Sequence, residues 1–211
     1  MKNIIKPAFK LGMAAVEVVI EIAKSAPEIS SVFFAVYTPA TLKDFVSDRI
    51  ERHNPPDEII KVKREDIVKG DPHYFFQPLI DWPLANGKRH LAISSEIKLQ
   101  GDKKSFHIPL VDFKCENTPE NLERVRNFLT KIGQKTGVIL NSGRSYHYYG
   151  LDILSKDEWR VFMAKCLLSD LADLKLLDVH YIGHSLWDGY SILRISSSSR
   201  YPRIPSVVSI L

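Results

Sequence analysis

The stretch LVDFKCENTPENLERVRNFLTKIGQKTGVILNSGRSYHYYG, residues 110–150, decides how the rest of this chain is read. It opens on an apolar strand ending in an acid, Leu110-Val111-Asp112-Phe113. Asn117-Thr118-Pro119-Glu120 follows as a helix start, where either polar residue can cap and Glu120 completes an Asn-x-x-Glu capping box. Leu122, Val125, Phe128, Leu129 and Ile132 then repeat at helical spacing, and Gly133 is placed to end the helix. A second strand carries Ser142-Gly143-Arg144-Ser145-Tyr146-His147. Strand, helix and strand in so short a span predict a right-handed crossover with the two motif strands as near neighbours.

Alternate side chains of a strand share a face. Asp112, Lys114 and Glu116 therefore point one way if the first strand runs that far, and Ser145, His147 and Tyr149 share a face on the second. Tyr146 and Tyr148 fall on the opposite face and read as core. An acid able to hold a divalent metal, beside a histidine and a serine with backbone amides at a glycine, is the equipment of phosphoryl chemistry. The plainer alternative is that Asp112 pairs with Lys114 or caps the helix while His147 is an ordinary sheet histidine.

Outward from this stretch, residues Leu11 to Lys24 form an amphipathic helix, with Met13, Val16, Val19, Ile20 and Ala23 on one face and Glu17, Glu21 and Lys24 on the other. Ser31 to Tyr37 reads as a buried strand, and Thr38-Pro39 starts a helix that Asn54-Pro55-Pro56 stops near His53. Residues 57–81 are ambiguous: Ile59 to Lys63 suits a strand, and a Gly70-Asp71-Pro72 turn leads to Tyr74-Phe75-Phe76. Asn86-Gly87 is a turn, His90 to Gln100 a strand, and Gly101-Asp102 a further turn. Ser155 and Glu158 form a capping box for a helix through Trp159, Phe162, Met163, Cys166 and Leu167. Val179 to Ile182 and Ser191 to Ile195 close the chain as strands ahead of a Ser/Pro/Arg tail, and Trp82, Trp159 and Trp187 read as packing residues. Asp178, His180 and His184 invite a zinc reading, but a spacing of four belongs to a helix and the segment reads as strand and turn.

A chain of 211 residues with 45% hydrophobic content can bury one substantial core. No apolar run reaches the length of a membrane span, so no membrane partner is expected. Lys2, Lys6 and Lys10 ahead of an apolar segment imitate a secretory signal, but Glu17 and Glu21 interrupt it at helical spacing. Cys115 and Cys166 read as buried thiols of a cytoplasmic protein. A net charge of +4 is compatible with a polyanion without demanding one.

The acid-ended strand, the helix and the Ser142-Gly143-Arg144-Ser145-Tyr146-His147 block together resemble the archaeo-eukaryotic primase superfamily, in which an hhhDhD motif precedes a helix and an SGxxxH motif. Ile192-Leu193-Arg194-Ile195-Ser196 and the following SSSRYPRIP are similar to that family's carboxyl-terminal strand and Ser/Pro-rich turn. The resemblance implies an α/β (α+β) fold with a strand-rich lobe, residues 1–105, packed on an RRM-like palm sheet, residues 106–211, as one compact unit. It implies Asp112 and His147 as catalytic positions, with Ser142, Arg144, Ser145, His147 and Arg194 around a nucleotide; Lys114, which the family does not supply, joins them as a fixed positive charge able to hold a phosphate in place of a missing metal. Metal ligands would be drawn from Asp112, Glu116 and Asp178, holding Mg²⁺ or Mn²⁺ if the protein is active and nothing if it is not.

The chain departs from the motif where the second acid is Lys114, since an ammonium cannot ligate a hard cation. The expectation is therefore a primase-like protein that binds nucleoside triphosphate and DNA or RNA with a degenerate metal site. The alternatives are an active nucleotidyltransferase, or a non-catalytic subunit with protein partners.

Overall fold

The computed structural model describes residues 7–38, 55–70, 89–170, 175–199 and 201–211. The helix expected from Thr38-Pro39 to His53, the aromatic run at Tyr74, the Asn86-Gly87 turn and Trp82 lie outside them. Two antiparallel sheets and a few helices make a mixed α+β fold.

Helix α1 spans Ala15–Ser25. The two glutamates that interrupt its apolar sequence have local work: Glu17 Oε2 accepts the Ala14 amide at 2.6 Å, and Glu21 Oε1 accepts the Ala8 amide at 2.8 Å. Strand β1 (Ile29–Tyr37) pairs antiparallel with β2 (Glu58–Lys63) on one side and with β3 (His90–Leu99) on the other. The short helix α2 (Arg64–Lys69) follows β2 and lays the buried Ile67 into the core.

The far edge of β3 is divided between two partners. Its carboxyl-terminal part pairs with β4 (Ser105–His107), which pairs in turn with β8 (Leu154–Ser155). Its amino-terminal part pairs with β9 (Ile192–Arg194), register Ala92 to Arg194. Strands from both halves of the chain thus complete the first sheet.

The second sheet has the order β10 (Ser206–Ile210), β6 (Gly137–Asn141), β7 (Tyr146–Gly150), β5 (Leu110–Asp112). Helix α3 (Pro119–Lys131) joins β5 to β6, and β7 returns between them. The expected second motif strand is therefore a hairpin: residues 142–145 form its turn and only Tyr146 onward is strand. The motif strands are direct antiparallel neighbours, because β7 inserts into the gap the crossover leaves. The Ser/Pro/Arg tail, read as irregular, ends in β10, where alternation buries Val207 and Ser209.

Alternation on the second sheet gives it two apolar faces. Leu110, Val138, Leu140, Tyr149 and Val207 join α1 and the first sheet in one core. Val111, Ile139, Tyr146 and Tyr148 face a second core beneath α3, α4 (Lys156–Asp170) and α5 (Val179–Asp188). Trp159 on α4 is fully buried there and stacks on His107 with ring centroids 4.8 Å apart. The α4 capping box forms as the sequence predicts, Ser155 N donating to Glu158 Oε2 at 2.8 Å and Glu158 N to Ser155 Oγ at 3.3 Å. Trp187, read as a packing residue, is instead 66% exposed.

Residues 179–182 form a helix where β-branched and aromatic content predicted a strand. Local chemistry outweighs β propensity here. Asp178 Oδ1 accepts the amides of His180 at 3.1 Å and Tyr181 at 3.4 Å, an N-cap that commits the chain to a helical turn. At the other end Gly189 takes a left-handed φ of 80° and returns its amide to the Ser185 carbonyl. His180 and His184 therefore share a helical face after all.

Candidate functional site

Asp112 closes β5 and stands directly opposite His147 in the β5–β7 register. Both belong to the face that carries Leu110 and Tyr149, at the rim of the first core. His147 Nε2 lies 3.5 Å from Asp112 Oδ1, with the histidine side chain 7% exposed and the aspartate 32%. Burial, then the nearby Arg194 guanidinium, lowers the His147 pKa to about 3, so the ring is neutral at physiological pH. Its Nδ1 is buried without a hydrogen-bond partner among the described residues.

Asp112 is pushed the other way. Burial, and next the like charge of Asp178, raise its carboxyl to about 8, while Arg194 pulls it down. The open third of its side chain moderates that shift through solvent screening. Backbone pairing brings Asp178 there: Phe113 bridges Leu177, Lys114 N donates to Leu176 O at 2.7 Å, and Asp178 N to Asp112 O at 3.3 Å. Lys114 and Glu116 are exposed beyond the end of β5, and neither is among the groups that shift Asp112. Of the acids read from the sequence, Asp178 is the one the fold sets against Asp112.

The turn between β6 and β7 is tied down by Asn141, which carries no motif signal, and by Asn117, whose sequence context predicts a helix cap. Asn141 Oδ1 accepts the Gly143 amide at 2.8 Å and the Asn117 side-chain amide at 3.1 Å. Asn117 Nδ2 also donates to the Gly143 carbonyl at 2.8 Å, and its backbone amide donates to Arg144 O at 3.2 Å. Asn117 therefore serves the turn, and Thr118 alone caps α3 by accepting Asn121 N at 3.2 Å. Gly143 sits at a φ of 107°, which a side chain would strain. The Ser142 amide is spent on the Ser145 carbonyl, so any amide donation to an anion falls to Arg144 and Ser145. Arg144 is exposed and Ser145 is buried against the Cys115 thiol, whose pKa is raised chiefly by burial.

Arg194, at the end of β9, is 6% exposed. Its Nη2 donates to Ser142 O at 2.6 Å, and its Nη1 donates to the carbonyls of Ser196 and of Arg203, the latter at 3.1 Å. The ring of Tyr201 lies 4.8 Å from its guanidinium carbon and 5.4 Å from that of Arg144. Residues 196–199 are tied into the fold. Ser196 and Ser198 are buried, Ser196 Oγ accepts the Leu91 amide at 3.0 Å, and Ser198 and Tyr201 exchange backbone hydrogen bonds.

Were a divalent ion held here, Asp112 and Asp178 would be its carboxylate ligands, and they would serve one ion rather than two. A cation there would offset the like charge that Asp178 brings to Asp112, with water and phosphate oxygens left to fill its remaining positions. A second ion about 4 Å away needs a further oxygen ligand where this chain has Lys114. Among the described residues no three His, Cys, Asp or Glu side chains gather closely enough to hold a metal ion by themselves, and Asp112, His147 and Asp178 are no exception.

A sheet-borne Asp–His pair beside a glycine turn, with a second acid delivered by the following helix, defines a class of site rather than one protein. The family described as archaeo-eukaryotic primase 1D-like matches residues 82–206, more than half the chain, and the protein belongs to that family. No curated protein and no solved structure matches it. Among the described residues no helix is long and apolar enough to cross a membrane.

Proposed function

We propose that this protein binds a nucleoside triphosphate, free or at the end of a DNA or RNA strand, where β5, β7 and the start of α5 meet. Asp112 and Asp178 hold a single Mg²⁺ or Mn²⁺, which when bound neutralises phosphate charge. His147 presents a neutral imidazole behind Asp112, and Arg144, the adjacent amides and Lys114 supply the cationic and donor wall for the phosphates. The observation that carries this reading is the convergence of two acids, one histidine and the Gly143 turn, with a lysine at the position where the family's motif has its second acid. Lys114 offers charge without ligation, so the phosphate is held more readily than it is transferred.

Calorimetric titration with a nucleoside triphosphate, with and without Mn²⁺, on wild type and His147→Ala tests it. Binding that strengthens with the metal and weakens in the variant is expected. Absence of nucleotide binding under both conditions refutes it, and leaves a fold kept for contacts with protein partners. Oligonucleotide binding that falls steeply with salt supports a nucleic-acid end as the ligand. The Asp178–Asp112 juxtaposition also favours a second reading, metal-dependent nucleotidyl transfer, which primer synthesis and extension assays with Mn²⁺ distinguish from binding alone.

A further inference from the structure

We infer that Arg194 is a positioning residue, not a phosphate ligand: its buried guanidinium fixes the Ser142–Ser145 turn to Ser196 and Arg203 as one unit and leaves Arg144 to meet the anion. The inference rests on the nucleotide-binding reading above for its functional half only.

Both terminal nitrogens of Arg194 are engaged with backbone carbonyls, and the three carbonyls come from three separate places: Ser142 in the hairpin turn, Ser196 after β9 and Arg203 before β10. A planar fork can serve three carbonyls at once, whereas an ammonium is a point donor on a flexible stem. The side chain is 6% exposed, which suits a strut more than a group that must reach a ligand. Arg144 has the opposite character. It is exposed, it sits in the turn itself, and its guanidinium lies over the same Tyr201 ring that Arg194 lies over. Tyr201 therefore relates the fixed cation to the free one, and its ring is held in turn edge-on to His90, centroids 5.7 Å apart.

The two roles predict different responses to Arg194→Lys. A phosphate ligand keeps its charge as lysine, so binding falls less with lysine than with methionine and the ligand-free protein exchanges as before. A strut fails with either, because the fork is lost. We expect Arg194→Lys and Arg194→Met to weaken triphosphate binding alike, by about tenfold or more, and Arg144→Ala to do the same. In the Arg194→Lys background, Arg144→Ala should add little, since a cation on a loosened turn is already misplaced. Hydrogen exchange of the ligand-free protein is measured alongside, and the Arg194 variants should exchange faster at residues 142–146, 196–199 and 201–203.

Arg194→Lys that binds within about twofold of wild type, with unchanged exchange, overturns the inference. Should wild type bind no nucleotide, the proposed function fails, while exchange in the ligand-free variants still decides whether Arg194 holds the turn. If the Arg194 variants do not melt cooperatively, Tyr201→Leu removes the shared ring and spares the three carbonyl bonds. Faster exchange at residues 142–146 is then expected, and unchanged exchange there counts against the unit.

Discussion

Acid should loosen this protein through His107, and by a calculable amount. His107 on β4 is 1% exposed; its Nδ1 contacts Ser95 Oγ at 3.2 Å, and Trp159 stacks on its ring. Burial lowers its pKa from the usual 6.5 to about 4; Glu96 pulls it back up, and Lys156 and Arg160 add to the lowering. A folded-state value below the unfolded one means the unfolded chain takes the proton first. The stabilisation is thus complete above about pH 6.5 and drains away as the pH falls towards 4.

Between pH 7.5 and 5, a shift from 6.5 to about 4 amounts to about 2 kcal/mol lost. His147, also lowered, contributes in the same sense, and Asp112 in the opposite one, since its raised carboxyl favours folding at the acid end. The clean quantity is therefore the difference between wild type and His107→Gln, in which only the His107 titration is removed. Urea denaturation at constant ionic strength across that range should show wild type losing about 2 kcal/mol more than the variant. Parallel curves, within about 0.5 kcal/mol, would refute the reasoning. The matter reaches the site, because Ser95 Oγ also accepts the Ser191 amide at 2.9 Å, one residue ahead of β9 and so close to the seat of Arg194.

Asp178→Asn keeps a good N-cap but loses the carboxylate, so urea midpoints should hardly move while the gain in triphosphate affinity on adding Mn²⁺ disappears; Asp178→Ala should lose that gain and about 1 kcal/mol besides. Lys114→Asp restores an oxygen ligand beside Asp112, and Mn²⁺-dependent nucleotide incorporation exceeding wild type is the expected result, read by primer extension. Gly137→Ala should cost about 2 kcal/mol or more in urea titrations, since its new Cβ would lie 2.5 Å from the Tyr149 carbonyl oxygen at a φ of 149°. Tyr148→Phe should cost about 1–2 kcal/mol, because its hydroxyl bonds Gln134 Oε1 and Thr136 O inside the second core.

Much of the frame was readable in the chain because local signals and tertiary packing agree there. The Leu122 to Ile132 periodicity, the Ser155–Glu158 box and the strand from His90 all formed as read. Two misreadings share one cause. Residue types at 179–182 and the motif at 142–145 predict strand, whereas capping by Asp178 and the Asn141–Gly143 bond decide their geometry. That the strands carrying Asp112 and His147 lie side by side follows from the order of elements, but their antiparallel pairing through the β6–β7 hairpin does not. Asp178 is one of the ligands the resemblance offers, but nothing in the order of elements singles it out over Glu116, because its place depends on the chain after α4 returning to extend the β5 edge through Leu176 and Leu177. The burial of Arg194 was equally invisible, since its three acceptors are main-chain atoms and carry no sequence signature.

The divided edge of β3 has a bearing on how the molecule can be dissected. Asp112 and His147 ride on the second sheet, but β9 is seated on the first, beside Ala92, Ile93 and Ser94. A fragment beginning at Ser105 would keep every residue of the candidate site and still strand β9 and β4 without the neighbour that aligns them. The half of the chain that holds the chemistry is thus not a transplantable cassette: grafted elsewhere without β3, it would arrive with its Arg194 side unmoored.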